Sequence, residues 1–149
     1  MKLFRLILLP LSALWYAISG IRTWLYDKGL LRRRRFRLPV FVVGNLSTGG
    51  TGKSPHAELL ARRMMEQGYR TALLSRGYGR RTKGFLEVSQ HDSARRTGDE
   101  PLMLKRALPE ATVAVCENRA RGIRQLMRRF RPQVIVLDDA YQHLRVKAS

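Results

Sequence analysis

Apolar residues follow two patterns along the chain: one nearly unbroken N-terminal block, then short β-branched runs alternating with helically spaced stretches. From Pro39 onward the alternation is regular. Val40, Phe41, Val42 and Val43, closed by Gly44, predict a buried strand. Residues 71–74, 112–115 and 134–137 predict three more strands, and 85–88 a short one. Between them, 54–67 predicts a helix, with Leu59, Leu60, Met64 and Met65 near helical spacing and Gly68 as its stop. Residues 100–108 predict a short helix with Pro101 tolerated in the first turn. Residues 118–129 predict a basic helix with Ile123, Leu126 and Met127 turned inward. Strands alternating with helices imply an α/β fold, a mostly parallel sheet with helices on both faces.

The N-terminal block, residues 6–21, is interrupted by Pro10, Ser12, Ser19 and Gly20. A spanning helix needs ~20 apolar residues, and this block is shorter. A cleaved signal fits Lys2, Arg5 and the small-residue stretch Ala17-Ile18-Ser19. Against it, Arg32-Arg33-Arg34-Arg35-Phe36-Arg37 follows closely, and such charge resists translocation. Trp15, Tyr16, Trp24 and Tyr26 favour a helix lying in the bilayer interface, with Arg22, Lys28 and the arginine run on anionic headgroups. An apolar helix packed on the following domain is the plain alternative. Two regions are therefore expected: 1–37, an apolar helix and basic juxtamembrane segment, and 38–149, a nucleotide-binding domain.

Charge sharpens the choice of partners. The 149 residues carry 29 Lys and Arg against 11 Asp and Glu, a formal net charge of +18, which favours polyanions: nucleic acid, anionic lipid or phosphorylated substrate. Cys116 is the single cysteine, which excludes an internal disulfide; at the end of an apolar run it reads as buried filler.

The strongest chemical signal is Gly44-Asn45-Leu46-Ser47-Thr48-Gly49-Gly50-Thr51-Gly52-Lys53-Ser54, between the first strand and first helix. Glycines let the backbone curl so that successive N–H groups of Gly49, Gly50, Thr51 and Gly52 point at phosphate oxygens, and the helix N-terminus adds its dipole. Lys53 would bridge the β- and γ-phosphates of ATP, and Ser54 would ligate Mg²⁺. Ser47 stands where the strict pattern has glycine. The second signal is Val134-Ile135-Val136-Leu137-Asp138-Asp139, acids at the end of a buried strand, placed to hold Mg²⁺. A solvated strand end with capping aspartates is the alternative for the pair taken alone.

The loop resembles that of partition and septum-site ATPases, but their signature lysine is replaced by Thr48. Arg76, Arg80 and Arg81 flank glycines beyond a strand end, where ligands of open sheets sit, and are candidates to grip a substrate phosphate; a merely exposed basic loop fits equally. Arg119 and Arg121 open a helix after a strand and are further candidates to bind substrate in the same crevice. Asp99 alone reads as a helix cap. His143 follows the acidic strand end, and a lone histidine is more often structural; His56 and His91 have no supporting context.

Four blocks in order resemble the tetraacyldisaccharide 4'-kinase family: Val43-Gly44-Asn45-Leu46 running into Gly49-Gly50-Thr51-Gly52-Lys53-Ser54-Pro55; Ser75-Arg76-Gly77-Tyr78-Gly79-Arg80; Gly98-Asp99-Glu100-Pro101; and Asp138-Asp139-Ala140-Tyr141-Gln142-His143. The resemblance implies transfer of the ATP γ-phosphate to the 4'-hydroxyl of a lipid A disaccharide precursor, at the cytoplasmic face of the bacterial inner membrane. It implies that Asp99 helps activate the hydroxyl, and that Asp138 and Asp139 organise Mg²⁺ and phosphates. Ser54 and Ala140 stand where Thr and Gly are commoner in that family. A histidine that works with Asp99 belongs to the family's second half, so the chain is expected to be a fragment of low kinase activity. The expected partners are the lipid precursor and an anionic membrane surface, not nucleic acid. A DNA-binding P-loop ATPase is the runner-up, and a remnant that only binds nucleotide a third reading.

Overall fold

The computed structural model describes residues 36–44 and 53–138, together with residues 18, 20, 21, 24, 25 and 28; the side chains of Lys53 and Ser54 are not described. The chain divides into two compact units, Met1–Arg33 and Arg34–Ser149. In the first, Ile18, Gly20, Ile21, Trp24 and Leu25 are helical, and Ile18, Ile21 and Trp24 are exposed. Among the described residues, no helix is long and apolar enough to cross a membrane.

The second unit is a five-stranded sheet. Its elements in chain order are β1 (Val40–Val43), α1 (Lys53–Glu66), β2 (Thr71–Ser75), β3 (Leu86–Glu87), α2 (Ala94–Thr97), α3 (Asp99–Ala107), β4 (Thr112–Val115), α4 (Arg119–Phe130) and β5 (Val134–Asp138). The spatial order is β1-β5-β2-β4-β3. The pairs β1–β5, β5–β2 and β2–β4 are parallel, and β3 runs antiparallel to β4 at the edge. Every strand predicted from the β-branched runs is present, with β3 shorter than expected.

Strand periodicity divides the buried residues between two cores. Ala72, Leu74, Ala114, Ile135 and Leu137 pack with Ile123 and Leu126 of α4. Leu73, Val113, Val115 and Val136 pack on the opposite face with Ala57 and Ala61 of α1 and Leu102 and Leu104 of α3. Each fully buried Leu or Val on these faces contributes roughly 1.5–3 kcal/mol by leaving water. The helices therefore cover both faces, as the alternating pattern predicts. From β1 to β2 to β4 the chain moves one way across the sheet. From β4 to β5 it moves back, and α4 accordingly lies on the other face.

Local signals explain the element ends. Gly68, at φ 83°, closes α1 by a Schellman motif: its N–H donates to the Met65 carbonyl at 2.8 Å, and the Tyr69 N–H to the Met64 carbonyl at 3.0 Å. Asn118 caps α4, its side-chain oxygen accepting from the Arg121 backbone N–H at 3.0 Å. Leu59, one of the apolar residues at helical spacing in α1, is 56% exposed, because Ala57 and Ala61 take the buried stripe and let the helix lie close to the sheet. The helix expected at 100–108 begins one residue earlier, at Asp99, and is preceded by the unpredicted turn of α2, too short to show a period.

Gly122 shows how tightly α4 sits on the sheet. A Cβ there would stand 2.7 Å from Leu74 Cδ2 and 3.0 Å from Cys116 Cβ. Replacing Gly122 by Val is expected to destabilise the domain by about 1–3 kcal/mol through overpacking, read as a lower midpoint in denaturant with an unchanged slope.

Candidate nucleotide and phosphoryl-transfer site

The parallel sheet gathers the chemistry at the carboxyl ends of its strands. Val43, the last residue of β1, is the register partner of Asp138, the last residue of β5. The chain leaves β1 through Gly44, and α1 begins at Lys53. The glycine-rich segment thus starts beside Asp138 and ends in a helix N-terminus packed over β5 and β2. The expected nucleotide residues Gly49, Gly50, Thr51 and Gly52 lie outside the described residues, as do Asp139 and His143; Lys53 and Ser54 are placed by their backbone alone.

Asp138 is 1% exposed. Its backbone carbonyl accepts a hydrogen bond from Arg119 Nη2 at 3.2 Å. Arg119, itself 2% exposed, also donates from Nη1 to the Cys116 carbonyl at 2.8 Å. One buried guanidinium therefore ties the end of β5 to the end of β4. Cys116 is buried, as expected, and its N–H donates to the Ser75 carbonyl at 3.0 Å, closing the same edge onto β2.

Past Ser75 the chain turns through residues 76–84. Gly77 and Gly79 have φ of 71° and 75°, and Tyr78 between them is 86% exposed. Gly98, at φ 94° and ψ 154°, occupies the cap position of α3, so Asp99 is the first helical residue and not the cap. A Cβ on Gly98 would stand 2.9 Å from the Tyr78 carbonyl oxygen and 3.1 Å from Gly77 Cα. The turn before Asp99 and the turn after β2 are thus in backbone contact. Asp99 is exposed in the first turn of α3, where the helix dipole favours a carboxylate.

Of the arginines expected near substrate, Arg76, Arg81 and Arg121 are exposed. Arg119 and Arg80 are instead engaged within the protein. The Arg80 side chain is 2% exposed, and its Nη2 donates to the Gly84 carbonyl at 2.6 Å and to Glu117 Oε1 at 2.5 Å. Glu117 drew no attention in the sequence; it lies 37 residues from Arg80, so no local pattern links the two. Among the described residues no group of three or more His, Cys, Asp or Glu converges to hold a metal. Asp138, a buried carboxylate at the strand end, is a donor of the kind that could hold Mg²⁺ together with phosphate oxygens.

Burial pushes the Glu117 carboxyl pKa up, but its own backbone amide, the Arg80 guanidinium and the Gly84 amide outweigh this and hold it below the ordinary carboxylate range. A lowered folded-state pKa stabilises above the unfolded value and loses that contribution as pH falls through the folded one. The gap in melting temperature between the native chain and Glu117→Gln is accordingly expected to be widest near neutrality and to shrink below the ordinary Glu value of 4.5. Gly98→Ala is expected to cost about 1–3 kcal/mol, from its positive φ and the approach of the Tyr78 carbonyl, measured by denaturant unfolding.

The sequence and the fold both match known proteins. Residues 4–149 match the family described as Tetraacyldisaccharide-1-P 4'-kinase. The chain is 49% identical to a tetraacyldisaccharide 4'-kinase of Flavobacterium johnsoniae, covering 100% of this chain and 44% of that protein. It is 47% identical to one of Parabacteroides distasonis, covering 94% of this chain and 38% of that protein. A crystal structure of LpxK from Aquifex aeolicus in complex with ATP superposes with a TM-score of 0.86 at 38% identity, over 97% of this chain and 47% of that one. The chain spans less than half the length of these relatives. By sequence and by fold it belongs to the tetraacyldisaccharide-1-P 4'-kinase family.

Proposed function

We propose that this chain is the nucleotide-binding part of an ATP-dependent kinase that phosphorylates the 4'-hydroxyl of a lipid A disaccharide precursor. The observation that carries the reading is the register of β1 on β5, which sets Asp138 beside the start of the glycine-rich segment. A phosphate-binding loop and a metal-binding acid must lie side by side for a P-loop enzyme to work. The family's name and the ATP in the Aquifex relative support ATP as donor and a tetraacyldisaccharide 1-phosphate as acceptor.

In this reading the amides of Gly49, Gly50, Thr51 and Gly52 cradle the phosphates and Lys53 neutralises them. Ser54, Asp138 and Asp139 would hold Mg²⁺, which supplies charge neutralisation across the transferred phosphoryl group when bound. Asp99 accepts the proton of the 4'-hydroxyl as its oxygen attacks the γ-phosphorus of ATP and the bond from that phosphorus to the β-phosphate oxygen breaks, with ADP leaving. Arg76 and Arg121, both exposed, are available to the acceptor's phosphate. In the intact protein carrying this chain, Asp99→Ala is expected to lower kcat by about 10²–10⁴-fold with the KM for ATP little changed, measured as phosphate transfer to the acceptor. Lys53→Ala and Asp138→Asn are expected to abolish the heat of Mg-ATP binding in calorimetry; undiminished binding would refute the site.

The acceptor is a lipid, so the enzyme has to meet a membrane surface. The exposed Ile18, Ile21 and Trp24 share helical spacing near a strongly basic stretch, which supports an interfacial anchor at the cytoplasmic face of the inner membrane. Sedimentation with phosphatidylglycerol vesicles is expected to pull the protein down, weakening with salt. Retention on DNA at matched salt without vesicle binding would favour the runner-up ATPase.

A further inference from the structure

The turn carrying Asp99 and the loop 76–84 come from separate parts of the chain, and one buried arginine organises both. Arg80 Nη2 bridges the Gly84 carbonyl and Glu117 Oε1, while Nη1 donates to Thr82 Oγ1 at 3.4 Å. Glu117 Oε2 accepts the Gly84 N–H at 3.0 Å. The two oxygens of one carboxylate therefore hold both the guanidinium and the loop backbone.

The stem of the same arginine lies against Gly77. A Cβ on Gly77 would stand 2.6 Å from Arg80 Cδ and 2.8 Å from the Thr97 carbonyl oxygen. Gly77 in turn abuts Gly98, the residue before Asp99. Two further bonds fasten the loop to α2: Thr82 Oγ1 donates to the Arg96 carbonyl at 2.6 Å, and the Arg81 N–H to the Arg95 carbonyl at 2.8 Å. On the other side, Glu117 stands two residues before Arg119, which holds the Asp138 carbonyl. Packing, hydrogen bonds and the two-residue step of backbone from Glu117 to Arg119 thus connect Asp99 to Asp138.

We infer that Arg80 and Glu117 are positioning residues for phosphoryl transfer, a brace that fixes Asp99 relative to Asp138. The inference rests on the kinase reading above. Neither residue is assigned contact with a reactant: the Arg80 guanidinium is engaged by Gly84 and Glu117. Transfer is sensitive to misplacement of the base by fractions of an ångström, whereas nucleotide affinity is set by the glycine-rich segment. Loosening the brace lowers turnover and leaves nucleotide binding intact.

The test uses Glu117→Gln and Arg80→Lys in the intact protein, with Mg-ATP and a tetraacyldisaccharide 1-phosphate acceptor. Glu117 has a side chain 46% exposed, so its neutral isostere leaves the core untouched. Arg80→Lys keeps the charge but removes the fork that spans Gly84, Thr82 and Glu117. Both are expected to lower kcat by about ten- to a hundredfold with the KM for ATP within about twofold. Both are also expected to speed hydrogen exchange at the amides of 98–102, while those of β2 and β5 stay protected. A native enzyme that transfers phosphate, with variants of unchanged kcat or with exchange at 98–102 unaltered, overturns the brace. A raised KM for ATP with normal kcat overturns it too, since it would mark direct nucleotide contact. A native protein that transfers no phosphate sinks the kinase reading itself, and the exchange measurement then still reports whether the path reaches Asp99.

Discussion

Parallel pairing of β1 with β5 is the constraint on which the site depends. The last pair in the ladder joins Val43 to Asp138, so the strand that launches the glycine-rich segment and the strand that ends in an acid stop at the same level. Evenly spaced parallel hydrogen bonds hold that level, and a slip of one residue would send every side chain of β1 to the opposite face. Val40 and Val42 belong to the α4 core and Val43 to the α1 core, so both cores resist such a slip. Apolar burial on two faces thereby sets the level at which the glycine-rich segment starts relative to Asp138.

The remaining strand ends are tied to this level by polar groups that reach no solvent. Arg119 spans from β4 to β5 through two carbonyls, and the Cys116 amide reaches Ser75 on β2. A buried guanidinium is costly to desolvate and is tolerated where its donors meet acceptors in good geometry. Placing such groups at the carboxyl edge leaves the middles of the strands apolar. Beyond that bonded edge, Arg76, Tyr78 and Asp99 are exposed.

The fold was readable because its signals are local. Four-residue β-branched runs, Gly68 after α1 and Asn118 before α4 each announce an element within a few residues. The site was half readable for the same reason. Asp138 at the end of an aliphatic run and Lys53-Ser54 at a helix start are contiguous patterns. Which face of α1 meets the sheet was not legible in its large apolar residues, since α1 approaches the sheet through Ala57 and Ala61 while Leu59 is exposed. Arg80 misled because a loop arginine between glycines reads as solvated; its partner Glu117 lies 37 residues away, beyond any periodicity. The order of strands across the sheet is likewise non-local. It follows from which face each crossover helix covers, and spacing along the chain does not encode that.

The two-residue strand β3 has a consequence for behaviour in concentrated solution. Without it, β4 would face outward with a row of backbone donors and acceptors on a flat aliphatic ribbon, a template for another molecule's chain. Leu86 and Glu87 occupy that row in the opposite direction, and the Val88 amide follows by donating to the Val113 carbonyl at 2.8 Å. Glu87 is exposed, and the strand is too short to offer a new ladder of useful length. On that side the sheet finishes in a blunt, charged hem that discourages neighbouring molecules from stitching themselves on.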